Sequence, residues 1–317
     1  MGSSLPDSPA AKPQVLVLTG PTATGKTALG VALALELGGE VVSADSMQIY
    51  RGMDIGTAKP AAAELGGVPH HMFDVADPAE DYSVSRYVED ASACVDDILA
   101  RGKTPILAGG TNLYIDSLLS GRSFAEKGDG ALRERLGAEY DELGGEAMLR
   151  RLAAVDPARA AKLAAADRRR IVRALEIYEL TGKTISEHDA ETQKLPPRYT
   201  SLRFALNFAE RGDLYRRIDR RVDQMMEQGL LSEVRALLAR GVPPESTAMQ
   251  AIGYKELAEA LRGECTVAEA VERVKQGSRR YAKRQLTWLR RDAGLRWIVW
   301  DREPDLEKGL DAVLGTL

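Results

Sequence analysis

The sequence predicts an α/β protein, a parallel sheet with helices on both faces, interrupted by a helical insertion. Three observations predict it. Short apolar runs alternate with helix-forming stretches up to residue 111. From Arg122 to Arg198 the chain turns to Ala, Arg, Glu and Leu without a strand pattern, and a strand pattern returns at Leu202. Strands that alternate with helices need crossover connections and so pair in parallel, and a strandless stretch between them reads as an add-on. The 317 residues, 44% hydrophobic and 28% charged, suffice for two units of ordinary globular composition.

Residues 1–12 lack the apolar centre of a signal peptide and are expected as a disordered tail. Residues 13–121 then form the first part of the α/β core. Val15–Thr19 is a β-branched run that stops at Gly20-Pro21, and Ala28–Leu37 is a strong helix former closed by Gly38-Gly39. Val41–Ala44 is a second strand, ending at Asp45. Ser83 caps a helix from Val84 to Arg101, and Pro105–Ala108 is a third strand, ending in Gly109-Gly110-Thr111. Residues 122–198 form the helical insertion, broken at Gly144-Gly145, Asp156-Pro157 and Thr181-Gly182. Residues 199–317 complete the core, with strands at Leu202–Phe208 and Arg296–Trp300 and helices at Asp213–Gln228, Leu231–Arg240 and Thr266–Arg291.

Composition narrows the function. With 43 basic and 47 acidic residues the net charge is −4, so a polyanion must be held by a local patch. Two cysteines, Cys94 and Cys265, without a CxxC, exclude a disulfide framework and a cysteine zinc finger, and both read as ordinary buried residues. His70, His71 and His188 do not have metal-site spacing, and His70-His71 reads as part of a loop. No apolar run approaches the roughly 18 residues a membrane helix needs. A cytoplasmic monomer is expected.

The strongest chemical signal is Gly20-Pro21-Thr22-Ala23-Thr24-Gly25-Lys26-Thr27, a complete G-x-x-x-x-G-K-[ST] between a strand and a helix. Its glycines let successive backbone N–H groups point at a phosphate, Lys26 adds charge, and the Thr27 hydroxyl is a ligand for Mg²⁺. The fold is therefore expected to be P-loop NTPase-like. The acid that usually ends a neighbouring apolar strand in NTPases is missing after Pro105–Ala108, so the loop reads as a phosphate holder rather than an ATP hydrolase. The carboxylate sits instead at Asp45, facing the loop from the second strand. It is either a proton acceptor for a nucleophile or a cap for the next turn.

The block from Asp45-Ser46-Met47-Gln48 through Tyr50-Arg51-Gly52-Met53-Asp54-Ile55-Gly56-Thr57 to Lys59-Pro60 resembles the tRNA dimethylallyltransferases. So do Gly109-Gly110-Thr111 with Tyr114, Ile171–Glu176, Gly253-Tyr254-Lys255, and Lys283-Arg284-Gln285 with Thr287–Arg290. The resemblance extends from residue 20 to 290. It implies transfer of a dimethylallyl group from dimethylallyl diphosphate to the exocyclic amine of the adenine 3′ to the anticodon, with the tRNA anticodon stem-loop as partner. Asp45 would be the general base. Lys26, Mg²⁺ and the Thr22 and Thr27 hydroxyls would stabilise the leaving diphosphate. An arginine of the Arg217–Arg221 helix would touch the diphosphate, Arg221 first and Arg217 second, the alternative being a basic face paired with Asp219 and Asp223. Asp45, Ser46, Met47, Gln48, Thr111 and Arg133 would meet the tRNA, Thr111 also serving as a helix cap.

Two basic clusters suit RNA phosphates: Arg168-Arg169-Arg170-Ile171-Val172-Arg173 in the insertion, and Arg279 to Arg291 on the last long helix. Arg169, Arg170, Ile171, Val172 and Arg173 are the expected insertion contacts, and Met249–Lys255 is expected to add a loop to the same surface. Tyr254, Tyr281 and Trp288 are candidates for base stacking or for core. Three rival functions stay open: prenylation of free adenine nucleotides, small-molecule phosphorylation with Asp45 as base, and RNA binding without catalysis.

Overall fold

A computed structural model describes residues 14–121, 129–192 and 194–317. The expected disordered tail therefore lies outside the described residues, as does the start of the insertion. In chain order, β1 (Val15–Thr19), α1 (Lys26–Leu37), β2 (Glu40–Ser43), β3 (His70–His71), α2 (Val84–Ala100), β4 (Pro105–Ala108) and α3 (Asn112–Ser120) come first. The helices α4 (Gly130–Leu143), α5 (Gly145–Val155), α6 (Pro157–Ala160), α7 (Arg168–Thr181) and α8 (Ile185–Thr192) follow. The chain then returns through β5 (Ser201–Phe208), α9 (Arg211–Glu227), α10 (Leu230–Ala239), α11 (Tyr254–Leu261), α12 (Val267–Leu289), β6 (Arg296–Trp300) and α13 (Leu306–Leu314).

The six strands pair in parallel in the order β3-β2-β4-β1-β5-β6. Every residue of β1 is buried, so both faces of the sheet are covered at its centre. On one face, α1 rests its Gly30 against Leu18, Val41 and Ala108, a contact that leaves just enough room for glycine or alanine. The caps follow the predicted signals. Gly38, left-handed at φ 59°, closes α1, Ser83 accepts from Arg86 N–H, and Thr266 with Glu269 forms a capping box on α12.

Three elements depart from expectation. His70–His71 is a two-residue edge strand on β2 rather than a loop, too short to show a sequence period. Tyr254–Leu261 is an unpredicted helix that takes in the last two residues of the loop expected at Met249–Lys255, and Leu306–Leu314 is a further helix. Cys94 and Cys265 are half-buried, not buried.

Ser120–Arg198 clusters as a compact unit of its own. Its helices break where Gly144, Asp156-Pro157 and Gly182 require, and its core is built from Leu136, Met148, Leu152, Ala160, Ile171, Val172, Ala174 and Leu175.

Candidate active site

The phosphate loop leaves the central strand β1, and the rest of the sheet holds it rigid. Gly20 has φ 135° and lies so close to β5 that a Cβ would overlap Leu206 O. Ala23, at φ 65°, and Gly25, at φ 86°, turn the loop into α1. Inside the bend Thr24 Oγ1 donates to Pro21 O at 2.8 Å, and Trp300 Nε1 donates to Thr24 O at 2.9 Å from the far end of the chain. Lys26 arches back over the loop, donating to Gly20 O at 2.9 Å and Pro21 O at 2.6 Å. Burial and the Arg221 charge pull its pKa down to about 7, against the opposing pull of Asp45. The Thr27 hydroxyl is exposed and has no hydrogen-bond partner among the described residues.

Both candidate arginines reach the loop from α9. Arg221 Nη1 lies 3.3 Å from Thr22 Oγ1 and pairs with no carboxylate among the described residues. Burial lowers its pKa, opposed by Asp45. Arg217 donates from Nε to Ala23 O at 3.1 Å, and its other edge is taken by Glu303. The expected alternative partners are used elsewhere, Asp219 by Arg279 and Asp223 by Lys275. The cation left available to an anion in the loop is therefore Arg221.

Asp45 stands just beyond the end of β2. Its Oδ1 accepts from Met47 N–H at 2.9 Å, so it caps its own turn, while Oδ2 has no donor among the described residues. It is close enough to Lys26, Arg221, Tyr87, Tyr114 and Tyr281 to shift all five electrostatically. Behind it the backbone of β4 presses close. A Cβ on Gly109 would sit 2.7 Å from Ala44 Cα, so glycine is required, and Thr111 N–H donates to Ala44 O at 3.0 Å. Thr111 is the backbone cap of α3, accepting from Ile115 N–H, but its hydroxyl accepts from Ser46 N–H at 3.0 Å and donates to Ser46 Oγ at 3.3 Å. Tyr87 and Tyr114 stack at 3.9 Å beneath, with the Tyr87 hydroxyl on Ser43 O.

The loop after Asp45 is knitted from inside. Gln48 accepts from Ser43 Oγ at 2.9 Å and donates to Thr57 O and Ala58 O, so its amide is spent on the protein. Glu233 receives the backbone N–H groups of Asp54, Ile55 and Gly56 as well as the Tyr254 hydroxyl. Tyr254 and Met249 are fully buried, so of the two readings of Tyr254 the structure has core, while residues 249–253 do form a turn with Gln250 exposed. Gln285 reaches across from α12 to Gly110 O at 2.8 Å. Glu233 and Trp300 carry no local motif that singles them out, while Gln285 lies in the Lys283-Arg284-Gln285 block of the family resemblance.

Of the basic clusters, the one on and just after α12 is open apart from Arg279, which pairs with Asp219. Arg280, Lys283, Arg284 and Arg291, with Thr287 and Trp288, line a shallow depression of about 420 Å³. These four cations have no ion-pair partner among the described residues. Trp288 is 46% exposed, not core, with its Nε1 on Asp116. Within the insertion Arg169 and Arg170 are exposed, whereas Ile171 and Val172 are buried in the unit's own core. Their side chains therefore pack the unit's own core, which leaves only their backbone to meet a partner. Arg133 and Arg173 both pair with Glu176. His71 binds Glu40 and His70 bonds Val68 O, and no cluster of metal-ligating side chains occurs among the described residues.

A model of the IPP transferase family matches residues 48–292, and one of isopentenyl transferases matches residues 13–75. The chain is 51% identical over 287 residues to a tRNA dimethylallyltransferase of Desulforudis audaxviator, covering 90% of this chain and 92% of that one. It is 49% identical to tRNA dimethylallyltransferase 1 of Pelobacter propionicus, covering 92% and 94%. Among solved structures it is similar to the full-length tRNA isopentenylpyrophosphate transferase of Bacillus halodurans, with TM-score 0.72, 40% identity and 96% of each chain covered. It is also similar to a eukaryotic dimethylallyltransferase acting on tRNA, with TM-score 0.80 and 32% identity, covering 95% of this chain and 77% of that one.

Proposed function

The chain belongs to the tRNA dimethylallyltransferase family, and from that premise we propose that it prenylates the exocyclic amine of the adenine 3′ to the anticodon, in the cytoplasm. The observation that carries this reading is Asp45. Its carboxylate has one oxygen spent on its own turn and one without a donor, beside Lys26 and Arg221. That is where an acceptor amine and a diphosphate donor would have to meet.

In this reading the loop N–H groups, Lys26, Arg221 and the Thr22 hydroxyl hold the diphosphate of dimethylallyl diphosphate. The allylic carbon–oxygen bond breaks, and the bonding pair leaves with the diphosphate, which these donors stabilise. The adenine, turned out of the anticodon stack, forms the new carbon–nitrogen bond, and its proton passes to Asp45 Oδ2. An amine conjugated with its ring is a weak nucleophile, which is why a base at this position matters. The free, exposed Thr27 hydroxyl fits Mg²⁺, whose remaining ligands would be diphosphate oxygens and water. When bound, the ion neutralises charge on the leaving group. The unpaired cations of α12, with Trp288 among them, suit the RNA backbone and a stacked base. In the insertion Arg169, Arg170, Arg133 and Arg173 play the same part. Around Asp45, contacts to the base fall to Ser46, Met47 and Thr111, because the amide of Gln48 is occupied.

Incubation with labelled dimethylallyl diphosphate and tRNA, AMP or ATP tests the proposal. Label in tRNA supports it. Label in AMP identifies a nucleotide prenyltransferase, consumption of the ATP γ-phosphate a kinase, and no turnover a binding protein.

A further inference from the structure

We propose that Glu176 is a positioning residue that aims Arg133 and Arg173 at RNA phosphates. The proposal rests on the reading of the insertion as a tRNA-binding unit. Glu176 lies on α7 with its side chain 0% exposed, beside the unit's apolar cluster of Leu136, Ile171 and Leu175. The unit buries one other carboxylate, Asp156, which is spent on the backbone N–H groups of Arg159 and Ser186. Arg133, from α4, grips it with two bonds, Nε to Oε2 at 3.3 Å and Nη2 to Oε1 at 3.1 Å. Arg173, one turn before it on the same helix, donates from Nη1 to Oε2 at 2.9 Å. The two arginine side chains remain 51% and 36% exposed while Glu176 holds each guanidinium along one edge.

Stability does not explain this arrangement. Removing a carboxylate from water is costly, and apolar side chains of similar volume serve a small core at least as well. What one buried carboxylate does provide is a fixed orientation for two planar cations whose outer edges match phosphate oxygens. The rotamer freedom that RNA would otherwise have to remove is already lost in the free protein. The charge balance agrees. Arg135 and Arg151 on the same unit are matched by Glu139 and Glu179, and Arg168 by Asp141. Arg133 and Arg173 share a single carboxylate and so keep one net positive charge.

A positioning role and a neutralising role make opposite predictions. Glu176→Gln removes a negative charge, which by electrostatics alone strengthens binding of a polyanion. If Glu176 aims the arginines, tRNA affinity falls instead, by about 3- to 10-fold, and the salt dependence flattens by about one phosphate contact. Affinity of the full chain for tRNA is measured at several salt concentrations, with thermal melting and dimethylallyl diphosphate binding as controls. Unchanged or tighter tRNA binding by a folded Glu176→Gln protein overturns the proposal. Should that variant fail to fold, Arg133→Lys decides. It keeps the charge but not the two-pronged grip, so weaker tRNA binding supports positioning and unchanged binding overturns it. Arg133→Ala with Arg173→Ala separates the two levels. If the wild type binds tRNA and this double variant binds equally well, the positioning role falls while the tRNA reading stands. If the wild type does not bind tRNA, the underlying reading falls with it.

Discussion

Lys26 offers the sharpest test of the loop as a diphosphate site. Burial and Arg221 hold its pKa near 7, so in the free protein at pH 8 most molecules carry a neutral amine at the place where a phosphate must sit. A bound diphosphate favours the ammonium form and raises that pKa again. The apparent donor dissociation constant then scales as one plus ten to the power of pH minus 7. The penalty is about 2-fold at pH 7, about 11-fold at pH 8 and about 100-fold at pH 9. The sign is fixed, since affinity can only weaken as pH rises through the free-protein pKa. Arg221 keeps its charge throughout this range and contributes no slope of its own. Calorimetric titration with dimethylallyl diphosphate in buffers of different ionisation enthalpy reads both effects. Near pH 8 about 0.9 proton should be taken up per donor bound. Lys26→Arg, permanently charged, should bind with a flatter profile and little proton uptake. A wild-type affinity that is level from pH 7 to 9, without proton uptake, would refute the reasoning and return Lys26 to an ordinary charged state.

Three further outcomes are expected. Asp45→Asn keeps the bond to Met47 N–H but not the proton acceptor, so single-turnover prenyl transfer should slow by about 10²–10⁴-fold with donor affinity preserved. Transfer within a factor of three of wild type would leave Asp45 only its capping role. Gly109→Ala forces a methyl into the Ala44 backbone, and the strain of roughly 1–3 kcal/mol should appear as a lower urea midpoint together with a displaced Asp45 and lost transfer. Trp300→Phe leaves the buried Thr24 carbonyl without its donor, costing about 1–3 kcal/mol and loosening the loop. Donor affinity should drop while tRNA binding holds, and equal losses in both would argue against a local effect.

Much of the site was legible because its signals are local. The phosphate loop is eight consecutive residues, and the bonds of Thr24 Oγ1 and Lys26 Nζ close within it, while Asp45 follows directly on an apolar run. The insertion announced itself by composition and by its Gly and Asp-Pro breaks. Some expectations had a competing signal in plain view. Ile171, Val172, Ala174 and Leu175 form an apolar stripe at helical spacing, which already marks core. Other features had none, as with a strand of two residues, or an eight-residue helix beginning directly after Gly253.

The sequence by itself determined the phosphate loop, the carboxylate at the strand end, the helical insertion and the family, since each is encoded in neighbouring residues. Only the tertiary structure decided which side chains complete the site. Trp300 meets Thr24 across 276 positions, Gln285 meets Gly110 across 175, and Glu233 meets Ile55 across 178. The occupation of Arg217 by Glu303, which follows β6, likewise came only from the tertiary structure. The physical reason is the strand order. Setting β1 between β4 and β5, and β6 beside β5, brings chain ends together around one loop. Pairings between distant segments depend on that three-dimensional packing, and no short stretch of sequence records it.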